Sequence, residues 1–460
     1  MGTTRHYDDG SLEIPSGVQG PVERVLIVGA GMAGLTVANA LTHAGVECVV
    51  LEARDRIGGR LQTVDLGGSP VDLGGSWIHT PIGNPMTAWA AQNGVDQRPA
   101  HWLEAAAGWD RDGGPVDDDT FEWMLDQVEG GVRIALADVQ TTVDAATSPT
   151  EWISGYVEDL GLDAARARQL RWILRVVAEA DASGSLEERS LAWLYRYGIE
   201  YDGDGVGDLP VGGYRRLLAP MAAGLDVRLG SVVRRIEFDK GGVRIKTADG
   251  ATHPGSHVVV TVPVGVLKAG SIEFEPALPV RHLAAIERLG FGRFEKVAIR
   301  FSDTAWLPVG LPNTFVLADP QRPDLPIIVS LDAFVGEPVV VALAPGSTAH
   351  LVTDGTLDDA VASLLAVIEQ VTGVRPPAPV AATRTDWARD PYALGAYSYV
   401  AVGGTPDDFD ALGQPVDGRL LFAGEATSQR RTGYADGAMS SGIREAKRLL
   451  GLQEVRLGAT

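Results

Sequence analysis

Apolar residues change rhythm twice between Arg24 and Glu52. Residues 24–28, RVLIV, are a short apolar run; from Met32 to Ala44 apolar positions recur at helical spacing; residues 47–52, ECVVLE, close on a second short run. Short β-branched runs predict strands and the longer period predicts a helix, so the segment reads as one βαβ unit. The first twenty residues are polar, contain Gly and Pro and have no period, which predicts a loose arm over the surface.

Between residues 100 and 200 the pattern differs. DDTFEWMLDQVEGGVRIALADV and AARARQLRWILRVVAEA are amphipathic at helical spacing, which predicts a helical insertion rather than further parallel sheet, and a second domain beginning there. From about Leu225 to Pro263 short β-branched runs return, and FEKVAIRF, PIIVSLDAF and PVVVALA predict strands of a second sheet. The C-terminal RLLFAGEATSQRRTGYADGAMSSGIREAKRLL reads as strand, loop and helix. No repeat at solenoid periods and no low-complexity tract interrupts this order.

Length and charge narrow the picture. At 460 residues the chain is long for one simple core and predicts two domains, interleaved in sequence. Lys+Arg 39 against Asp+Glu 60 give a formal charge of -21. That balance repels phosphate backbones and argues against a nucleic-acid partner; it would welcome a polycation, although acidity also serves solubility. The single cysteine, Cys48, cannot close an intrachain disulfide or build a thiolate metal site, and no metal is expected. No segment approaches the ~20 uninterrupted apolar residues of a membrane span, and the first twenty lack the apolar core of a signal peptide. A cytoplasmic protein with no membrane partner is the expectation.

In GAGMAG, Gly29 permits a tight turn off the strand, Gly31 lets backbone approach a pyrophosphate and Gly34 lets helix and strand pack closely. The helix N-terminus adds amide hydrogens and partial positive charge. Glu52, at the end of the next strand, is placed to accept both hydroxyls of an adenosine ribose. NAD and FAD both fit so far. The second glycine pair, Gly58 and Gly59 before Arg60, and then VDLGGSWIH at 71–79, offer the further backbone approach that a ribityl chain and three-ring head require. A nicotinamide enzyme usually continues with more βαβ units, whereas this chain turns into a helical insertion.

GAGMAGL, LEARDRIGGR, DLGGSWIH, VVVTVPVGVL, FEKVAIRF and LLFAGEAT...GYADGAMSSGIREA, in this order, resemble the flavin-dependent amine oxidases. That family includes monoamine oxidases, polyamine and spermine oxidases and histone lysine demethylases, and the likeness runs from about Val22 to Leu450. The resemblance implies an α/β fold of the amine oxidase, glutathione reductase-like type: a Rossmann-like FAD-binding domain interleaved with a mixed-sheet plus helical substrate domain. The expected FAD-binding domain is 21–100, 210–290 and 385–460, and the expected substrate-binding domain 101–209 and 291–384, after an arm over 1–20. The resemblance makes Glu52 the ribose ligand, Arg60 and Gly59 the pyrophosphate and ribityl neighbours, and Val233 the residue whose backbone meets adenine. Gly424 and Glu425 resemble the second pyrophosphate contact; Arg54, Gly75, Ser76, Trp77 and Trp387 are further cofactor neighbours. The helix starting near Ala435 would aim its amides at the flavin C2 carbonyl.

The chemistry so implied moves a hydride from the carbon beside nitrogen to flavin N5; the imine hydrolyses and O2 takes the electrons as hydrogen peroxide. The protein must orient the carbon, desolvate the amine and keep it neutral. Ring faces attract a cationic amine without trapping it. Tyr397 of GAYSY and Tyr434 of TGYADGA stand where the family's two facing aromatics do, which leaves Tyr399 as a packed strand aromatic. Lys296, in an apolar strand where an unpartnered ammonium is costly, resembles the family lysine that holds a water near N5; the alternative is a snorkelling lysine on an edge strand. Ala396 stands where some relatives attach flavin through cysteine, so noncovalent FAD is expected. His79 in GSWIHTPIGNP resembles the WIHG segment of polyamine and spermine oxidases, with Thr80 in place of the glycine; it either meets an amine or is satisfied by backbone. Glu179 and Asp181 after a helix of the insertion, and the acidic loop GIEYDGDGVGD, offer acids for the distal ammonium groups of a polyamine, with Glu179 or Glu200 the candidates. Trp152, Trp172 and Trp193 would instead line a pocket for an aromatic substrate, or pack in the core.

The expectation is therefore an FAD-dependent amine oxidase acting on a small-molecule polyamine or diamine with O2 as acceptor, compatible with a homodimer. Its rivals are an FAD oxidase of an aromatic monoamine, amino acid or alkaloid, and a flavin desaturase, which would want a greasy pocket and a membrane-docking surface. A non-catalytic flavin-binding scaffold or a demethylase-like chromatin protein is the last rival, against which the lack of a coiled-coil tower, basic patch or extra domain counts.

Overall fold

The structure, a computed structural model, describes residues 17–100, 106–110, 114–131, 146–194, 207–308, 312–319 and 324–458. Arg24–Val28 and Glu47–Leu51 pair in parallel through the helix Met32–His43, the βαβ unit predicted from the pattern. Parallel strands are covered on both faces by their crossovers, and Val25, Leu26 and Ile27 are accordingly fully buried. Three segments from far along the chain complete a five-stranded sheet in the order Leu420–Phe422, His257–Val260, Arg24–Val28, Glu47–Leu51, Asp226–Arg228. All four pairings are parallel.

On one face the C-terminal helix Ala435–Leu450 crosses Met32–His43. The crossing is close enough that a β-carbon at Gly442 would stand 2.7 Å from the Ala33 carbonyl oxygen, so glycine is required there. Against the other face lies a four-stranded sheet, Thr252–Gly255, Gly242–Thr247, Val233–Asp239 and Glu273–Glu275, with Leu26, Val28, Ile236 and Phe238 in one apolar core.

The predicted insertion holds the helices Asp118–Asp126, Pro149–Asp159 and Ala164–Ala182. It is not purely helical. Ala106–Asp110 pairs in parallel with Thr314–Asp319, and Gly114–Pro115 adds an edge, which corrects the expectation of a helical insertion only. AAGWD is too short and too poor in β-branched residues to announce a strand, and the partner that makes it one lies two hundred residues on. DDTFEWMLDQVEGGVRIALADV beyond Gly131 lies outside the described residues, as do Glu200, Asp202, Asp204 and the side chain of Trp193.

The resulting seven-stranded sheet runs Ala381–Arg384, Phe294–Arg300, Val339–Pro345, Ile327–Ser330, Thr314–Asp319, Ala106–Asp110, Gly114–Pro115. Phe294–Arg300 thus has a strand on either side, and Lys296 cannot be a snorkelling edge-strand lysine. None of the described helices is long and apolar enough to cross a membrane.

Candidate active site

A cavity of about 1670 Å³ runs from the Gly29 turn, past the N-terminus of the C-terminal helix, to the insertion. It exceeds the ~300–1,000 Å³ of an ordinary small-molecule pocket, leaving room for a dinucleotide and a substrate together. At one end Gly29 takes φ +104°, and a β-carbon on Gly34 would sit 2.0 Å from the Gly29 carbonyl oxygen, so the turn and the helix close on each other only with glycine at both. Glu52 is 5% exposed; its two carboxylate oxygens accept from the Ala30 amide (2.7 Å) and the Arg54 amide (2.9 Å). Gly31, Gly59, Ser231 and Val233 line the same end.

Two helix N-termini open on this cavity, those of Met32–His43 and Ala435–Leu450, and neither is capped by a side chain. A helix start leaves up to four amides without intrahelical partners and carries partial positive charge, so both ends suit an anionic or electron-rich group. Together with the glycine turn and the Glu52 carboxylate, these residues suit a flavin nucleotide: Glu52 could accept from ribose hydroxyls, and the two helix starts could meet a pyrophosphate and an electron-rich ring.

The arginines are held by the protein. Arg54 makes two 2.6 Å bonds to Asp390 and lies over the Tyr392 ring. Arg60 donates to the Ala396 carbonyl (2.7 Å) and to Glu425 (2.9 Å). The other Glu425 oxygen accepts from the Ser398 hydroxyl and the Gly433 amide (2.9 Å), and the Gly424 amide donates to Ser441. Both residues line the cavity, yet the Glu425 carboxylate is engaged by protein groups and works there as the anchor of Arg60.

Lys296 lies at the middle of the cavity wall, 5% exposed. Its Nζ donates to the carbonyls of Asp72 (3.2 Å) and Gly74 (2.6 Å) and to the Ser76 hydroxyl (2.6 Å), and stands 5.7 Å from the Trp77 ring centroid. An ammonium has three protons, so all are held by the protein. Burial brings the Lys296 pKa down to about 8, against the pull of Asp72, whose own carboxyl is raised to about 6 by burial despite the Thr63 hydroxyl and the lysine. Strand alternation sends the neighbouring Glu295 to the opposite face, where it accepts from the amides of Trp387 and Ala388. Trp387, fixed in this way, donates its indole N–H to the Leu73 carbonyl (3.2 Å) and lines the cavity with Gly75, Ser76 and Trp77.

Tyr397 and Tyr434 line the substrate end. The Tyr397 hydroxyl donates to the Ala180 carbonyl, and its ring lies 6.0 Å from that of Phe294. Tyr434 is gripped on three sides. Its edge meets His79 (5.0 Å, 70°), Arg431 stacks over its face at 4.7 Å, and its hydroxyl lies 3.4 Å from Asp181. Arg431 is itself held by Asp436 (2.5 and 3.1 Å), the Thr80 hydroxyl (3.2 Å) and the His79 carbonyl (3.3 Å). Thr80, where the sequence pattern calls for glycine, adopts φ +50° and supplies one of these bonds.

Glu179 requires correction. It is 0% exposed and its carboxylate is taken by Arg175, the Leu186 amide and the amide and hydroxyl of Ser347; burial pushes its pKa up. Asp181, two residues on and therefore ~200° around the helix, faces the cavity instead. Trp152 stacks on Tyr156 and Trp172 packs in an apolar core, so neither lines the cavity. Tyr399 packs against Gly184 and Gly290, away from it. Asp118, Glu122 and Asp126, which the sequence reading missed, lie four residues apart on one helical face, exposed at the cavity, and join Asp181 in an acidic wall. Among the described residues the insertion adds no cation to the lining.

A sequence profile described as flavin containing amine oxidoreductase matches residues 32–450. Among curated proteins the chain is similar to lysine-specific histone demethylase 1 homolog 3 of Oryza sativa subsp. japonica, 36% identical over 442 residues, 92% of this chain and 53% of that protein. It is similar also to Protein FLOWERING LOCUS D of Arabidopsis thaliana, 35% identical over 449 residues, 92% and 54%. The chain spans about half the length of these relatives. Among solved structures, putrescine oxidase bound to putrescine superposes with a TM-score of 0.74 at 21% identity, covering 94% of this chain and 100% of that one. That likeness is one of fold.

Proposed function

Since the chain belongs to the flavin containing amine oxidoreductase family, we propose that it is an FAD-dependent oxidase of a cationic amine, with a diamine or polyamine as substrate and dioxygen as acceptor. The observation that carries the substrate class is the charge of the cavity: the insertion lines it with Asp118, Glu122, Asp126 and Asp181 and with no Lys or Arg among the described residues. Such a wall attracts an amine that bears a second ammonium group. The only cysteine of the chain, Cys48, is buried outside the cavity with its thiol pushed up to about 12 by burial, which supports noncovalent attachment of the cofactor.

A flavin held here would supply the oxidising power, accepting two electrons and a proton as a hydride from the carbon beside the nitrogen. Everything else falls to side chains. Tyr397 and Tyr434 present ring faces to the amine, which hold it without fixing it as an ammonium. Phe294 and Leu343 keep water from the reacting carbon. Asp181, its charge partly offset by Arg189 at 3.7 Å, anchors the non-reacting ammonium.

A second reading is favoured by the 36% identity to a protein named as a histone demethylase: the cationic amine is then a methylated lysine in a basic peptide. Peroxide release decides between them, screened with putrescine, spermidine, spermine, their acetylated forms, tyramine, tryptamine, common amino acids and a dimethyl-lysine peptide. Turnover of diamines or polyamines supports the first reading, turnover of the peptide with formaldehyde the second. Turnover of aromatic monoamines alone would sink both. For the responding substrate, Asp181→Asn is expected to raise KM by roughly 10- to 100-fold, the worth of a charge-assisted hydrogen bond. The matched monoamine should be little affected; equal loss for both would remove Asp181 from recognition.

A further inference from the structure

Behind Lys296 lies a second, smaller cavity of about 50 Å³. Ser76, Trp77, Lys296 and Leu343 line both it and the main cavity, so they form the partition between them. The far side of the small chamber is made by Gly212, Val335 and Glu337, all partly exposed. Lys296 therefore stands with the substrate cavity in front and a near-surface chamber behind.

The chamber is suited to water. A buried water needs ~10–15 Å³ by this measure and two to four polar partners. The Asp72 carboxylate and the Ser76 hydroxyl have lone pairs left to supply them, and Lys296 adds an acceptor once it has given up a proton. Trp77, which lines the chamber as well as the main cavity, has a buried indole N–H without a partner among the described residues, a donor of the kind that a water commonly satisfies. The charged groups around the chamber are Asp72, Lys296 and Glu337, with Arg215 acting on Asp72 from the next element.

We propose that this chamber is a water-filled proton port that serves Lys296 from the side opposite the substrate. The inference rests on reading the main cavity as an oxidase site. Conversion of dioxygen to hydrogen peroxide takes two electrons and two protons. A flavin reduced by the amine would supply both electrons and one proton; Lys296 would give the second and regain it from chamber water, which exchanges with solvent. The port lets this proton arrive while product still fills the substrate side.

The test uses the holoenzyme. A crystal structure of the unsubstituted protein should show ordered water in the chamber within hydrogen-bond reach of Lys296 or Asp72. Val335→Trp, which fills the chamber from its exposed rim, and Val341→Met, which fills it from within, should expel that water. In stopped flow, both should slow reoxidation of the reduced enzyme by dioxygen roughly a hundredfold, the lower end of an acid–base contribution, with a larger solvent isotope effect. Anaerobic reduction by amine should be unchanged. A dry chamber in the unsubstituted protein, or unchanged reoxidation in a variant whose chamber is seen to be filled, overturns the port. Failure of the unsubstituted protein to bind flavin or to be reduced by any amine overturns the oxidase reading instead, and the crystallographic water still reports on the chamber.

Discussion

Glu52→Ala is expected to give a folded but colourless protein. In the native chain the Glu52 carboxylate receives two backbone amides, from Ala30 and Arg54, and so fixes the glycine turn and the loop that leads to Gly58 and Gly59. A carboxylate oxygen has lone pairs to spare after one such bond, and these are what a ribose hydroxyl would use. Alanine removes both functions. Two hydrogen bonds to a charged group are worth ~1.5–3 kcal/mol each, so FAD affinity should fall by at least roughly a hundredfold. Stability should fall as well, because two amides in a buried turn lose their acceptor. Titration of apo-protein with FAD, followed by flavin absorbance, measures the first effect; thermal unfolding measures the second. Stoichiometric yellow protein from Glu52→Ala would remove this residue from the cofactor site.

Lys296→Met should leave the flavin bound and slow its reoxidation about a hundredfold or more, the scale of a lost general acid. The pH dependence makes the expectation sharper. Burial brings the ammonium down to about 8, so Lys296 is charged below that pH and loses its proton as pH rises through it. Reoxidation by the unsubstituted enzyme should therefore be fastest below about pH 8 and decline above, whereas the methionine variant should be slow and flat across the range. Near pH 8 a neutral fraction has a lone pair free, which is what allows Lys296 to take a proton from a neighbouring water while its N–H groups hold Gly74 and Ser76. Stopped-flow reoxidation across pH gives both curves. Identical kinetics in the two proteins would make Lys296 a structural lysine.

Much of this was legible in the sequence, and the reasons differ by region. The βαβ unit and its glycines are local: turn, helix and strand are specified within thirty residues, and the structure forms them with Glu52 at the strand end. Ala106–Asp110 was not legible, because its strand character comes from pairing with Thr314–Asp319. Choosing between Glu179 and Asp181 required the orientation of a helix whose two sides both meet protein, and the sequence supplies only their angular separation. The acidic stripe Asp118, Glu122, Asp126 was present as a spacing, but on an exposed helix that spacing usually faces solvent. Arg431 gave no sign of its role: its four partners come from residues 79 and 80 and from Tyr434 and Asp436, and only the folded chain brings the first pair to the second.

The central sheet has a consequence for biosynthesis. Its strands are drawn from residues 24–28, 47–51, 226–228, 257–260 and 420–422, and the helix whose N-terminus opens on the cavity begins only at Ala435. A nascent polypeptide emerging from the ribosome has the glycine turn early, yet lacks two of its flanking strands for most of its synthesis. Sequence-distant pairing of this kind is slow to nucleate. The cavity, lined by residues from Val28 to Ala438, is complete only when nearly the whole chain has been made, and any prematurely terminated product would carry an unfinished sheet with open edges, a substrate for chaperones and proteases.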